Sequence, residues 1–189
     1  MKNKKQLFSF KILHFPETAS TNTFLRKLSD EGAKEGLVIR TDFQTAGRGK
    51  PGRPWISPRG KNLLFSLLLR PPVRANQAPI LTQIACRSVV TLLEAKFNIS
   101  ASIKRPNDVL VNGKKICGVL TEMVTSGSGH VDSVIIGIGL NVNSPDSELP
   151  PMATSITQIT GKMHSRGSLL KALLNQLRHD IKGLYDHPA

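Results

Sequence analysis

Apolar positions along the chain follow two periods, one near two residues and one near 3.6. Ser9 to Phe15 alternates polar with apolar side chains, the repeat of a half-buried strand. Leu37 to Phe43 predicts a second strand. Asn62 to Leu69 is almost continuously apolar and predicts a buried strand, stopped by Pro71-Pro72. A short helix is predicted from about Asn22 to Leu28, with Ser20 or Thr21 as its N-cap. From Ala78 to Phe97 the apolar residues Ile80, Leu81, Ile84, Ala85, Val89, Leu92, Leu93 and Phe97 keep helical spacing with one buried face.

Strands then dominate. Ser100 to Lys104, Val109 to Val111, Lys115 to Val124 and Val131 to Leu140 are predicted as strands. Asn112-Gly113, between two apolar runs, is a strong hairpin signal. Ser126-Gly127-Ser128-Gly129 predicts the next turn, and Asn143 to Pro151 a proline-containing loop. Arg166 to Tyr185 closes the pattern as an amphipathic helix, with Leu169, Leu170, Leu173, Leu174, Leu177, Ile181 and Leu184 on one side. Adjacent strands joined by tight turns, with helices set apart, predict an α+β fold: a mixed, largely antiparallel sheet packed with helices.

Composition narrows this picture. The 189 residues suit one domain with a sizeable core, and 39% apolar content suits a soluble protein. No run reaches the ~18 apolar residues of a membrane span. Leu7 to Phe15 is not a signal-peptide core, so the expected location is cytoplasmic. Cys86 and Cys117 sit in apolar surroundings and are expected as buried free thiols. The net charge of +13 favours an anionic partner. Aromatic content of 5%, without basic runs interleaved, argues against a single-strand stacking platform. No zinc spacing, helix-turn-helix signature, P-loop or internal repeat is present, and His14, His130, His164, His179 and His187 show no ligand spacing.

The densest chemistry lies in Thr41 to Trp55, T-D-F-Q-T-A-G-R-G-K-P-G-R-P-W. Gly47, Gly49 and Gly52 allow close backbone approach to a ligand, and Arg48, Lys50 and Arg53 gather positive charge there. Such a loop suits a polyphosphate or an acyl phosphate. Pro51 and Pro54 break the run, so a Rossmann fingerprint fits poorly. Three further segments stand out: Ser20-Thr21-Asn22; Lys104-Arg105-Pro106-Asn107-Asp108 with Lys114, Lys115 and Gly118; and Gly137 to Asn143, G-I-G-L-N-V-N.

In that order the segments resemble the catalytic domain of the biotin protein ligases. The glycine loop matches the family's G-R-G-R-x-G-R-x-W at Gly47 to Trp55. K-W-P-N-D is matched by Lys104 to Asp108, K-x-x-G-x-L by Lys115 to Leu120, and G-x-G-x-N-x-N by Gly137 to Asn143. The resemblance implies ATP-dependent formation of biotinyl-adenylate, then transfer of biotin to a lysine of a carboxylase carrier domain, with ATP and biotin as substrates and Mg²⁺ as cofactor. It implies catalytic roles for Arg48, Lys104 and Asp108, with Lys104 on the biotin carboxylate and then on the phosphate. Ser20, Thr21, Asn22, Gln44, Gly47, Gly49, Lys50 and Gly118 are implied in biotin binding beside Arg48 and Lys104. Lys50, Arg53, Trp55, Asn107 and Asn141 are implied in binding ATP or the adenylate, again with Arg48 and Lys104. Asp108 is a candidate Mg²⁺ ligand.

Each residue also has a bland reading. Ser20 and Thr21 suit a helix cap, Asn107 and Asp108 an Asx turn, Asn141 a buried strand end, and Trp55 a loop anchor. The chain departs from the family at Lys50, where arginine is usual, and at Arg105, where tryptophan is usual. One catalytic domain over residues 1–189 is expected. Neither the helix-turn-helix domain nor the small C-terminal β-barrel of many family members is expected, which argues against repressor activity and DNA binding. A lipoate or octanoate transferase of the same superfamily and a non-catalytic biotin- or nucleic-acid-binding protein stay open as alternatives, as does a homodimer.

Overall fold

A computed structural model describes residues 7–49, 53–125 and 129–186. Among these residues the chain runs β1 (Lys11–Phe15), α1 (Thr21–Asp30), β2 (Leu37–Thr41), β3 (Leu63–Leu69), α2 (Pro79–Phe97), β4 (Ser102–Lys104), β5 (Asp108–Val111), β6 (Lys114–Thr125), β7 (Val131–Leu140), α3 (Ile156–Thr160) and α4 (Arg166–Asp186). The strands form one seven-stranded sheet in the order β1-β2-β3-β7-β6-β5-β4. β1 and β2 are parallel and every other pair is antiparallel. The expected mixed, largely antiparallel α+β architecture is therefore present. No helix among the described residues is long and apolar enough to cross a membrane.

The sheet is covered on both faces. α2 and α4 pack against each other and over one face, where Phe65, Leu67, Val89, Leu93, Ile136, Ile138, Leu173 and Leu177 form the main core. α1 covers part of the other face with Leu25, packed on Ile39, Leu68 and Ile135. That double cover explains why β3 reads as an unbroken apolar run: every one of its residues is buried. Ser66, its only polar residue, is on the α1 side and meets the start of that helix.

Most predicted elements lie within a few residues of their expected bounds. Asn112 and Gly113 take φ of 48° and 77°, the left-handed pair that a tight hairpin between β5 and β6 requires. The five-residue α3 was not expected; it is too short to show a period, and Ser155 caps it through the Gln158 N–H. Ser20 is the N-cap residue of α1, but its side chain makes no cap hydrogen bond. Lys50, and the Ser126 to Ser128 part of the predicted turn, lie outside the described residues.

Candidate functional site

The glycine loop folds back on itself as a narrow ribbon. Gly49 N–H donates to Arg53 O and Trp55 N–H to Gly47 O, both at 2.9 Å. A Cβ on Gly47 would lie 2.4 Å from Trp55 O, so this crossing requires glycine. The ribbon delivers Trp55 onto β6 and β7. Its indole lies over Gly118 and Gly139, which face each other across the two strands. A Cβ at Gly139 would come within 2.4 Å of the ring. The glycines of two separate motifs thus make one flat seat for the chain's only tryptophan.

Beside the indole lies a cavity of about 160 Å³, lined among others by Ser20, Thr21, Gln44, Arg48, Asn107 and Gly137. One end is polar. The Thr21 backbone N–H and hydroxyl both donate to Gln44 Oε1, at 2.8 and 3.1 Å, which fixes that side chain. Ser20 is buried at the cavity wall. Asn107 donates from Nδ2 to Val119 O at 2.7 Å, while its Oδ1 is buried without a partner. Asn22 belongs to the framework instead. Its Oδ1 accepts from the Ser66 hydroxyl, and Nδ2 donates to Leu120 O at 3.2 Å and to Glu122 Oε2 at 2.7 Å. With its amide so occupied, Asn22 is a poor ligand contact although it lines the cavity.

A third cation lines this cavity beside Arg48 and Arg53, and the sequence alone assigned it no role. Lys115 Nζ lies 2.8 Å from Asp108 Oδ1 and 5.3 Å from the centre of the Trp55 ring. Simple alternation from Gly118 would send Lys115 to the opposite face of β6. However, Val109 pairs with Cys117 and Leu110 with Lys115, leaving Ile116 without a partner on β5. This bulge keeps Ile116 fully buried in the core and turns Lys115 onto the site face. By resemblance the central role fell to Lys104. It sits on edge strand β4 opposite Asp108, exposed, and does not line this cavity. The K-x-x-G-x-L motif marked Lys115; the missing signal was the bulge, which depends on β5.

A second cavity of about 560 Å³ adjoins the first. The two share Pro54, Trp55, Asp108 and Lys115, and the second adds Lys104, Leu110 and Met152 among its lining residues. Asn141 also reaches it, but its Oδ1 accepts from Asn62 at 3.2 Å and its Nδ2 donates to Thr154 O at 3.0 Å. It is 3% exposed and holds the strand end, so its side chain is less available to ATP or the adenylate than the resemblance implied. Arg53 lines the first cavity and Arg105 neither. Both thiols are buried, as expected. Burial, then the Asp108 charge, pushes Cys86 up to about 11, and burial raises Cys117 as well, so neither is a nucleophile at neutral pH. Among the described residues no group of three or more His, Cys, Asp or Glu side chains could hold a metal ion.

A family model, described as the biotin/lipoate A/B protein ligase family, matches residues 14–141. The chain is 38% identical over 175 residues to a bifunctional ligase/repressor BirA of Bacillus spizizenii, covering 90% of this chain and 54% of that protein. It is 32% identical to a biotin–[acetyl-CoA-carboxylase] ligase of Mycobacterium tuberculosis, covering 87% of this chain and 62% of the relative. The chain thus spans between half and two thirds of these relatives. Among solved structures it resembles a biotin protein ligase from Aquifex aeolicus in complex with biotin and ATP, with a TM-score of 0.79 and 34% identity over 93% of this chain and 72% of that one.

Proposed function

The chain belongs to the biotin/lipoate A/B protein ligase family, and from that premise we propose that it activates biotin with ATP and transfers it to a lysine of a carboxylase carrier domain. One observation carries the reading: two cavities meet at Trp55, with Lys115, Asp108 and the Arg48 ribbon at the junction. The Aquifex relative was solved with biotin and ATP together, the two ligands that such adjoining cavities would take.

The chemistry follows from the lining. Biotin offers a ureido ring at one end and a carboxylate at the other. Ser20, Thr21 and Gln44 would hold the ureido group, with Asn107 Oδ1 an unfilled acceptor for an N–H. The carboxylate would point toward Lys115 and Arg48. It is ionised at neutral pH and needs no general base to attack the α-phosphate and displace pyrophosphate. What it needs is alignment and relief of anion–anion repulsion, which fixed cations in a partly enclosed site supply. ATP would occupy the second cavity. Among the described residues Asp108 is the one carboxylate at the junction and is paired with Lys115, so Mg²⁺ would arrive mainly on the triphosphate. The neutral amine of the carrier lysine then attacks the carbonyl of the mixed anhydride, forming the amide, giving up a proton to solvent and releasing AMP.

The test is mass spectrometry of an apo carrier domain incubated with the protein, ATP, Mg²⁺ and biotin. A gain of one biotin is expected, with no gain when lipoate replaces it. Bound biotin without any gain would turn the reading to a binding protein.

A further inference from the structure

Glu122, on β6, takes part in none of the chemistry assigned above, yet it joins the rigid floor to the ribbon. One carboxylate oxygen accepts from Asn22 Nδ2 at 2.7 Å; the other accepts from Arg48 Nη2. Asn22 is 3% exposed and tied to Ser66 and the Leu120 carbonyl, so it is part of the scaffold. Arg48 is on the ribbon with its side chain 46% exposed, and its other link to the scaffold is Nη1 to Thr23 Oγ1 at 3.0 Å. A guanidinium on a half-exposed ribbon has several rotamers to choose among. Two acceptors, on β6 and α1, select one of them. They leave the remaining N–H groups of its five free for an anion.

We propose that Glu122 is a positioning residue that holds Arg48 at the cavity mouth in the orientation that meets the acyl-adenylate phosphate. The inference rests on the ligase reading and adds to it a carboxylate that never touches the substrate. Removing its charge loosens Arg48 without removing it. Capture and retention of the anion weaken, while the cavity's polar end, built on Gln44 and Thr21, keeps its own bonds.

The experiment is a double-mutant cycle with Glu122→Gln and Arg48→Ala, reading the release of pre-formed adenylate by stopped flow and biotin affinity by calorimetry. In the native background Glu122→Gln should speed release about five- to tenfold and change biotin affinity less than about twofold. In the Arg48→Ala background the same change should alter release less than about twofold. Glu122→Asp, which keeps the charge, should recover part of the loss and serves as the variant if the glutamine fails to fold. Equal effects of Glu122→Gln in both backgrounds, or no effect on release in the native one, would overturn the proposal. If the native protein forms no adenylate at all, the ligase reading fails instead, and the two failures are distinguishable.

Discussion

Lys115 and Lys104 carry the same charge, but only Lys115 stands at the junction of both cavities. The difference has an energetic meaning. A cation held by Asp108 and close over an indole is partly pre-oriented for an anion, whereas one on an exposed edge strand must be ordered first. Lys115→Gln should therefore lower biotin-dependent ATP–pyrophosphate exchange about a hundredfold, and Lys104→Ala less than about tenfold. Equal losses would return the central role to Lys104. Most of the residues the sequence singled out line one cavity or the other: Ser20, Thr21, Asn22, Gln44, Arg48, Gly49, Arg53, Trp55, Asn107, Asp108 and Gly118 the first, and Lys104 and Asn141 the second. Asn22 and Asn141 have amides occupied by Glu122 and Asn62, partners that lie far away in sequence, which no local pattern reveals.

At the level of elements, the residue that follows β2 and the start of α4 are tied together by charge. Arg166, the first residue of α4, donates to Asp42 Oδ1 at 2.7 Å and to Asn62 O at 3.3 Å. His14 lies 3.0 Å from the other Asp42 oxygen. Burial works to raise the Asp42 pKa. The hydrogen bond and charge of Arg166, helped by His14, outweigh it and hold the carboxyl below the usual range. A depressed folded pKa contributes stability that is fully present above the unfolded carboxylate value and is lost as pH falls through the folded one. Asp42→Asn should cost about 1–3 kcal/mol at neutral pH in chemical denaturation. The difference should shrink as pH drops below about 4. A gap independent of pH would show that the ion pair is not its source. Strand and helix types were legible because each period repeats over enough residues. The pairing of β7 with β6 followed from the turn between them, but its pairing with β3 was not legible, since it joins strands far apart in the chain.

For the molecule as a whole, the excess of 26 Lys and Arg over 13 Asp and Glu sets a long-range field. An acidic carrier domain would be steered toward it, and salt would weaken that attraction once the screening length falls to about 10 Å. Biotin transfer to an acidic carrier at sub-saturating concentration should slow severalfold between low and physiological ionic strength. A flat profile would leave the charge without this use. Both faces of the sheet are covered, with α2 and α4 on one and α1 on the other. The long central apolar strand hinted at such cover, but the stacking of layers is a property of tertiary packing and not of any one segment.

The indole resting on Gly118 and Gly139 is at once wall to both chambers. A synthetic molecule long enough to fill the two together would run along that ring and gain its apolar face as a shared contact. Such a bridging compound should lose more affinity when Trp55→Ala removes the wall than a compound confined to either chamber.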